Sequence, residues 1–251
     1  MTLLNAAISN TDPLGAAATG ASAIRAQALG RSIDDRAILH DLNFDIPPQS
    51  YIALIGHNGA GKSTLLHILA TLSTATTGKL HLFGEQVTRG TPAIRRRIGM
   101  IGHQPMLYRD LTAMENLVFF GKLYGIPHPA RRAAQLLEQV SLADRALDPA
   151  RTFSRGMTQR LAIARALMHD PQLLLADEPF SGLDLASSRA LEKLLAQLHA
   201  AGKTIVLTHH DIAQSLSLAQ RVIILRRGRI ALDQWASNIT VQTAEREVSA
   251  P

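Results

Sequence analysis

A glycine-rich segment directly after a short apolar run constrains the fold of this chain more than any other feature. The run extends from Tyr51 to Ile55, and the segment from Gly56 to Ser63 matches the pattern G-x-x-x-x-G-K-[ST]. This pattern carries its chemistry when a buried strand precedes it and a helix follows it. The helix is indicated by the apolar residues Leu65, Leu66, Ile68 and Leu69. The sequence therefore predicts a strand, a tight loop and a helix within an α/β core.

The same segment predicts a nucleotide site. Its glycines let backbone N–H groups turn towards phosphate oxygens, and the positive end of the following helix points to the same place. Lys62 would reach the β and γ phosphates, and the hydroxyl of Ser63 would bind Mg²⁺. A chance glycine turn is disfavoured because strand, loop and helix all agree with the motif. The candidate phosphate-binding residues are Gly56, His57, Asn58, Gly59, Ala60, Gly61, Lys62, Ser63 and Thr64.

A pair of carboxylates limits the types of reaction that such a nucleotide site could catalyse. The apolar run from Leu173 to Ala176 ends in Asp177 and Glu178, as a buried strand would deliver two side chains to the edge of a sheet. Asp177 suits the Mg²⁺ shell, and Glu178 can orient or deprotonate the attacking water. In isolation the two carboxylates would cap the turn before Pro179. Together with the phosphate loop they predict hydrolysis rather than transfer to an acceptor.

The remaining pattern favours an α/β fold with a mostly parallel sheet, because short β-rich runs alternate with helical stretches. The candidate strands are Tyr51 to Ile55, Ile98 to Ile101, Leu173 to Ala176, Thr204 to Leu207 and Val222 to Leu225. Residues from about 107 to 169 contain no clear strand and predict a helical subdomain. One apolar face of it would carry Leu117, Phe120, Leu123 and Tyr124.

Both ends of the chain are expected to lie outside this domain, which would span residues 23–237. Residues 1–22 are small and polar, so we expect a flexible N-terminal tail. Residues 238–251 are polar and are expected to form a frayed C-terminal tail, although a short amphipathic helix is the alternative.

Composition excludes several classes of protein. No apolar run approaches the roughly 20 residues that cross a bilayer. The absence of cysteine rules out disulfides and thiolate metal sites. The net charge of +6 is compatible with an anionic partner, which could be a nucleotide, a nucleic acid or an acidic membrane surface.

The motifs and their order resemble the ATP-binding subunits of ABC transporters over about residues 24–235. The resemblance implies a P-loop NTPase core with a mostly parallel sheet, an antiparallel β portion and an inserted helical subdomain, with ATP and Mg²⁺ as ligands. Gln104, in Gly102-His103-Gln104-Pro105, matches the family's Q-loop glutamine. That residue is implied to contact Mg²⁺ and the attacking water.

The segment from Ser154 to Met157 takes the place of the family's Leu-Ser-Gly-Gly-Gln signature. Ser154 and Gly156 are kept, and the resemblance implies that they contact the γ-phosphate bound to a second subunit. Phe153, Arg155 and Met157 depart from the signature. We interpret the segment as a variant that keeps the site active, because the phosphate-loop lysine and the carboxylate pair are intact. A degenerate, inactive signature is the alternative.

Two further motifs complete the resemblance. The run from Ser181 to Asp184 resembles the D-loop, in which Asp184 would cross the dimer interface. His209 and His210 are both candidates for the switch histidine that hydrogen-bonds the γ-phosphate and the water. The family spacing, counted back from Gln220-Arg221, selects His210.

The resemblance also implies partners. Because this chain shows no spanning segment, transport would need separate transmembrane permease subunits and a second ATP-binding subunit in a homodimer, at the cytoplasmic face of the cell membrane. The expected groove for the permease involves Tyr108, Leu111 and Met114, for which simple core packing is the alternative. No nucleic acid is expected, since a coiled-coil insertion or a second nucleotide domain is not evident.

The subfamily is predicted from short runs that resemble haem-exporter ATPases of cytochrome c biogenesis. The same runs also resemble ATPases of drug, lipid or polysaccharide exporters. They are Leu69-Ala70-Thr71-Leu72, Gly102-His103-Gln104, Asp110 to Leu117 and Ser154 to Met157. Alternatives from other classes are a non-transport ABC ATPase acting on nucleic acid or ribosomes, and a P-loop kinase or GTPase. The last is disfavoured by the carboxylate pair and the signature-like segment.

Overall fold

The computed structural model describes residues 22–88 and 91–250, which form an α/β fold built on two sheets. The strands are β1 (Ile24–Ile33), β2 (Arg36–Ile46), β3 (Tyr51–Ile55), β4 (Thr77–Leu82), β5 (Glu85–Gln86), β6 (Ile98–Ile101), β7 (Leu173–Ala176), β8 (Thr204–Thr208), β9 (Arg221–Arg226) and β10 (Arg229–Trp235). The helices are α1 (Lys62–Leu69), α2 (Pro92–Arg95), α3 (Ala113–Leu123), α4 (Pro129–Gln139), α5 (Arg155–Ala166), α6 (Leu185–Ala200), α7 (Ile212–Leu218) and α8 (Val241–Ser249).

The larger sheet has the strand order β10-β9-β3-β8-β7-β6. All neighbours from β9 to β6 pair in parallel, and β10 is antiparallel to β9. The five strands expected from the sequence all belong to this sheet. β3 is buried along its whole length: Ala53 and Ile55 pack into one core, and Ile52 and Leu54 into the other. A strand buried on both faces reads as a continuous apolar run, which explains why it is recognisable in the sequence.

The smaller sheet is antiparallel, with the order β2-β1-β4-β5. The sequence indicated an antiparallel portion but not its strands. The reason lies in bulges, because the pairing of β1 with β2 shifts register between Ala26 and Leu29 and at later positions. Ala28 and Asp41 have positive φ angles of 49° in these two strands. Each irregularity interrupts the period of two by which strands are recognised.

Helices α3, α4 and α5 all lie between residues 107 and 169. A capping box starts α3, in which the Thr112 hydroxyl accepts from Glu115 N and the Glu115 carboxylate accepts from Thr112 N. Leu117 is buried, as expected for the apolar face, but Leu123 is 66% exposed. The assignment of Leu123 to that face was wrong, because a side chain six residues after Leu117 points about 120° away from it around the helix.

The C-terminal segment differs from the frayed tail that the sequence indicated. Thr240 caps α8, and the side chains of Ala244 and Val248 are buried against the main core. The alternative, a short amphipathic helix, is the one the structure contains. The N-terminal tail falls almost entirely on residues 1–21, which lie outside the described residues.

Among the described helices, none combines the length and the apolar character that a bilayer crossing requires.

Candidate functional site

The predicted site residues gather at the carboxyl edge of the larger sheet. There β3 runs into the phosphate loop, β7 into the carboxylate pair, β8 into the two histidines and β6 into the segment with Gln104. These four strands are parallel and adjacent in the order β3-β8-β7-β6. In open α/β sheets, ligands bind outside this edge. The sheet topology therefore collects motifs that are separated by up to about 150 residues in the chain.

The phosphate loop leads directly into α1. Gly61 has a φ of 102° and precedes Lys62, the first helical residue. The first intrahelical bond of α1 is donated by Leu65 N to Gly61 O, at 2.9 Å. The N–H groups of Lys62, Ser63 and Thr64 therefore precede the helical hydrogen-bond ladder, which is the arrangement that binds phosphate. Gly61 is required because a side chain at this φ would be strained.

The Lys62 side chain folds back over the loop. Its Nζ donates to Gly56 O at 2.6 Å and to His57 O at 3.1 Å. Lys62 is only 6% exposed, and this burial lowers its pKa below the ordinary value of 10.5, while the charges of Glu178 and Asp177 oppose that shift. The ammonium group is thus held between the loop and the carboxylates, where a polyphosphate would complete the charge balance.

The carboxylate pair is fixed by a residue that the sequence did not indicate. Thr208 Oγ1 donates to Asp177 Oδ1 at 2.7 Å and accepts from Glu178 N at 2.8 Å. Asp177 is 7% exposed, whereas Glu178 is half-buried and has a positive φ of 48°. Thr208 is the last residue of β8, next to β7. Its position at the end of a parallel strand was the available signal.

Gln104 lies at the same edge but outside this network. It follows β6, whose Ile101 pairs with Ala176 immediately before Asp177. The Gln104 side chain is exposed. An exposed amide three residues past the strand end is free to approach a ligand above Asp177.

The two histidines have different environments. His209 is 2% exposed and its Nε2 lies 2.6 Å from Gln214 Oε1. Burial lowers the pKa of His209 below its ordinary value of 6.5, although the hydrogen bond to Gln214 opposes this. His210 is exposed, and its ring lies edge-on to His209 with centroids 5.0 Å apart. The structure therefore leaves His210 accessible to a ligand and packs His209 into the protein.

Ser154, Gly156 and Asp184 lie together at a second location, where α5 and α6 begin. The hydroxyl of Ser154 caps α5 by accepting from Met157 N at 3.3 Å. Asp184 caps α6 by accepting from Ser187 N at 2.7 Å, and this bond lowers the pKa of Asp184 below 3.8. Among the hydrogen bonds of residues 22–88 and 91–250, none connects these caps to the phosphate loop.

The donor set at the sheet edge fits a magnesium-bound triphosphate. It combines backbone N–H groups at a helix start, a lysine ammonium, the Ser63 hydroxyl, the Asp177 carboxylate and the Gln104 amide. Hydroxyl and carboxylate oxygens are the ligands Mg²⁺ prefers, with phosphate oxygens completing its shell. The described residues contain no group of three or more histidine or carboxylate side chains that could hold a metal ion by themselves.

Comparison with known proteins places the chain in a family. The family model described as ABC transporter matches residues 39–181. The linearmycin resistance ATP-binding protein of Bacillus subtilis is 34% identical over 82% of this chain and 67% of its own length. A phosphonates import ATP-binding protein of Nostoc is 38% identical over 83% of this chain and 90% of its own. A Nod factor export ATP-binding protein of Cupriavidus metallidurans is 37% identical over 78% and 65%.

Solved structures agree with the sequence relatives. An ATP-binding cassette dimer in a post-hydrolysis state, bound to ADP and phosphate, superposes with a TM-score of 0.77 at 27% identity, over 85% of this chain and 98% of that one. An ATP-binding subunit of an ABC transporter gives a TM-score of 0.79 at 30% identity, over 88% and 93%. With its P-loop, carboxylate pair and sheet topology, this chain belongs to the ABC transporter family and is an ABC-type ATPase domain.

Proposed function

We propose that this chain hydrolyses ATP as one half of a homodimer and powers export through separate membrane subunits. The catalytic part rests on the junction of β7 and β8, where the Thr208 hydroxyl binds the Asp177 carboxylate and the backbone N–H of Glu178 at the sheet edge that also holds the P-loop. Bound Mg²⁺ would neutralise charge on the phosphates and hold them in place. Binding of the phosphates and activation of the water are the tasks of groups of this chain.

Each side chain at the edge has a distinct task. The α1 N–H groups and Lys62 bind and orient the phosphates, and Ser63, Asp177 and Gln104 supply oxygen ligands for the metal. Glu178 stands next to Asp177 on the solvent side and orients the water, accepting its proton as it attacks. His210 donates a hydrogen bond to the terminal phosphate from the neighbouring strand end. Attack by water, rather than by an acceptor alcohol, makes the reaction a hydrolysis.

A second copy of the chain would complete the site. Ser154 is exposed at the start of α5 and Gly156 is buried beside it, and both lie away from the P-loop hydrogen bonds of their own molecule. A helix start with a serine hydroxyl is a suitable donor to a phosphate. The similar post-hydrolysis cassette is itself a dimer bound to ADP and phosphate, which supports the arrangement. Asp184, at the start of α6, would lie in the same interface.

An exposed aromatic surface supports docking of a membrane partner. Tyr108 is 51% exposed and stacks edge-on with Phe119, with centroids 4.9 Å apart. Phe120 lies beside both rings, and the guanidinium of Arg165 lies 5.4 Å from its centroid. Met106 is also exposed, at 58%. Large exposed apolar side chains in a cluster mark interaction surfaces.

This surface modifies the groove expected from the sequence. Tyr108 belongs to it, but Met114 and Leu111 are only partly exposed, and Met114 packs against the main core. Core packing thus accounts for Met114. A permease segment that lies on this surface would hold the chain at the cytoplasmic face of the membrane.

Export is supported by the relatives named for linearmycin resistance and Nod factor export. The relatives named for phosphonates and aliphatic sulfonates are import proteins. The direction of transport by this chain therefore requires a separate experiment. Haem as cargo rests on the short sequence runs alone, since none of the relatives named here carries that name. A drug, lipid or polysaccharide cargo fits the same runs.

Purification from detergent-solubilised membranes tests the transporter assignment. A membrane subunit should co-purify with the tagged full chain. Tyr108→Ala should reduce the amount of this subunit that is recovered, without changing the ATPase activity of the free chain. Recovery of ribosomes or nucleic acid without a membrane protein would support the non-transport alternative instead. Transport into inverted vesicles that contain the complex would then show the direction.

A further inference from the structure

The side chain of Arg155 lies against the loop that follows the carboxylate pair. A Cβ atom on Gly182 would overlap Cζ and Nη1 of Arg155 and lie 2.7 Å from Nε. The planar guanidinium therefore covers Gly182, which has a φ of +67°. Any side chain at position 182 would displace it. This contact joins the first residue of α5 to the loop from Ser181 to Asp184.

The charge of Arg155 is unusual for its position. It is the first residue of α5, and the first turn contains no acidic residue. A cation at this end opposes the helix dipole, which destabilises the helix. Within residues 22–88 and 91–250, the guanidinium makes neither a hydrogen bond nor an ion pair that would offset this cost. Residues that break a local rule without compensation are characteristic of functional positions.

A second close approach fixes the geometry around Arg155. A Cβ atom on Gly156 would overlap Ser187 Oγ and lie 2.9 Å from Ser187 Cβ. Ser187 in turn donates its backbone N–H and its hydroxyl to the Asp184 carboxylate. The start of α5 is thus packed directly on the start of α6. Arg155 reaches over this junction to the loop.

The loop is short and connects back to Glu178. Ser181 N donates to Glu178 O at 3.1 Å, and Leu183 N donates to Phe180 O at 3.2 Å. These two turns leave little freedom between Gly182 and Glu178. A displacement of Gly182 is therefore passed to the backbone of Glu178, whose positive φ makes its position sensitive to the surrounding packing.

We propose that Arg155 is a positioning residue that couples the start of α5 to the catalytic loop by its contact with Gly182. The inference rests on the proposed function, in which the α5 start contacts the nucleotide of a second subunit. Closure of the dimer on ATP would then set the position of Glu178 in the same chain through the guanidinium. Arg155 acts through the loop and not on the reacting atoms.

A double-mutant cycle tests the coupling. The variants are Arg155→Ala, Gly182→Ala and the double variant, assayed as full-length chains for kcat and KM with Mg-ATP. Each single variant should lower kcat about fivefold, and the double variant should be no slower than Gly182→Ala, because both changes remove the same contact. KM should stay unchanged, since the P-loop is untouched. Independent, multiplying losses of about 25-fold would overturn the proposal.

Gly125→Ala is the matched control. Gly125 also has a φ of +67°, but no atom lies within 4 Å of the position its Cβ would take. It therefore reports the cost of an alanine at this backbone angle without the overlap. Its kcat should stay within twofold of wild type while its melting temperature falls as in Gly182→Ala. An equal loss of kcat in Gly125→Ala would contradict a specific role of the contact.

Arg155→Lys keeps the test decisive if Gly182→Ala does not fold. Lysine retains the charge but lacks the planar group that covers Gly182. Arg155→Lys should be as slow as Arg155→Ala. A wild-type kcat in Arg155→Lys would show that charge alone matters and would overturn the proposal. A wild-type chain without ATPase activity would instead refute the proposed function itself.

Discussion

Thr208 and Asp177 are joined by a hydrogen bond of 2.7 Å, which Thr208 Oγ1 donates to Asp177 Oδ1. The same hydroxyl oxygen accepts a hydrogen bond from Glu178 N at 2.8 Å. Thr208 is fully buried, so no water can replace the hydroxyl. This single group links the Asp177 carboxylate to the backbone of Glu178, the two residues proposed to bind the metal and to activate the water. Its removal should therefore affect both.

Thr208→Val should lower kcat by about 10-fold or more, because loss of orientation at a reacting centre costs at least one order of magnitude. It should also lower the free energy of unfolding by about 1–3 kcal/mol, since a buried N–H and a buried carboxylate lose their partner. Steady-state kinetics and urea unfolding measure the two effects. Thr208→Ser keeps the hydroxyl but loses the methyl group and serves as the control. A loss of kcat in Thr208→Ser as large as that in Thr208→Val would contradict a specific role of the hydroxyl hydrogen bonds.

Substitutions of the two histidines should have different effects, one on turnover and the other on stability. His210→Ala should abolish most turnover with little change in unfolding free energy, because His210 is exposed. His209→Ala should destabilise the chain, because His209 is buried between Phe180 and Gln214. Turnover and urea midpoints of both variants decide the matter. Loss of turnover in a stable His209→Ala protein, with His210→Ala active, would reverse the assignment.

Stability should depend on pH through buried histidines. Burial lowers the pKa of both His209 and His169 below 6.5, and the unfolded chain therefore binds more protons as the pH falls. Their contribution to stability is complete above about pH 6.5 and is lost as the pH falls towards their folded pKa values. Urea unfolding between pH 7.5 and pH 5 should show the decrease. His169→Gln, which cannot titrate, should show a smaller decrease, and an unchanged slope would contradict this origin.

An ion pair between β9 and β10 should anchor an arginine that also links the two sheets. Arg221 is 7% exposed and binds Asp233 through two nitrogens, Nε at 2.5 Å and Nη2 at 2.6 Å. Its Nη1 also donates to Asp45 O in β2, at 2.7 Å. Asp233→Ala should cost about 3–5 kcal/mol in unfolding free energy, because it leaves a buried guanidinium without its partner.

The exposed pair of Arg25 and Asp45 is the control for this ion pair, since both side chains are substantially solvent-accessible. Arg25→Ala should change the unfolding free energy by about 1 kcal/mol or less. If Asp233→Ala were as mild as Arg25→Ala, the pair between β9 and β10 would not be a structural link.

Much of the sheet edge that carries the candidate site could be predicted because its strands are buried on both faces. The runs Tyr51–Ile55, Ile98–Ile101 and Leu173–Ala176 form strands with the same limits in the structure. Sequence motifs located the P-loop and the carboxylates for the same reason, since each follows such a run directly. The bulged strands β1 and β2 could not be located, because positive φ angles at Ala28 and Asp41 break their alternation.

Contacts between segments that are distant in the chain could not be predicted from the sequence. Thr208 lies about 30 residues from Asp177 and Glu178 in the chain, and the pairing of β7 with β8 brings it within hydrogen-bonding distance of both. The same is true of Arg155 and Gly182, whose contact depends on how α5 packs on α6. The α8 helix was predicted only as the alternative to a frayed tail, because its buried positions are just two, Ala244 and Val248, in an otherwise polar segment.

A composite site between two chains requires that bound ATP holds the dimer together, and the oligomeric state of Glu178→Gln measures this. This variant keeps the shape of the side chain but cannot accept the proton of the water, so ATP should bind and persist. Sedimentation at saturating Mg-ATP should show a dimer with two ATP bound, and a monomer without nucleotide. Adding Ser154→Arg to Glu178→Gln should abolish the dimer while one ATP still binds per chain. A Glu178→Gln protein that stays monomeric with one ATP bound, or hydrolyses at the wild-type rate, would contradict the account.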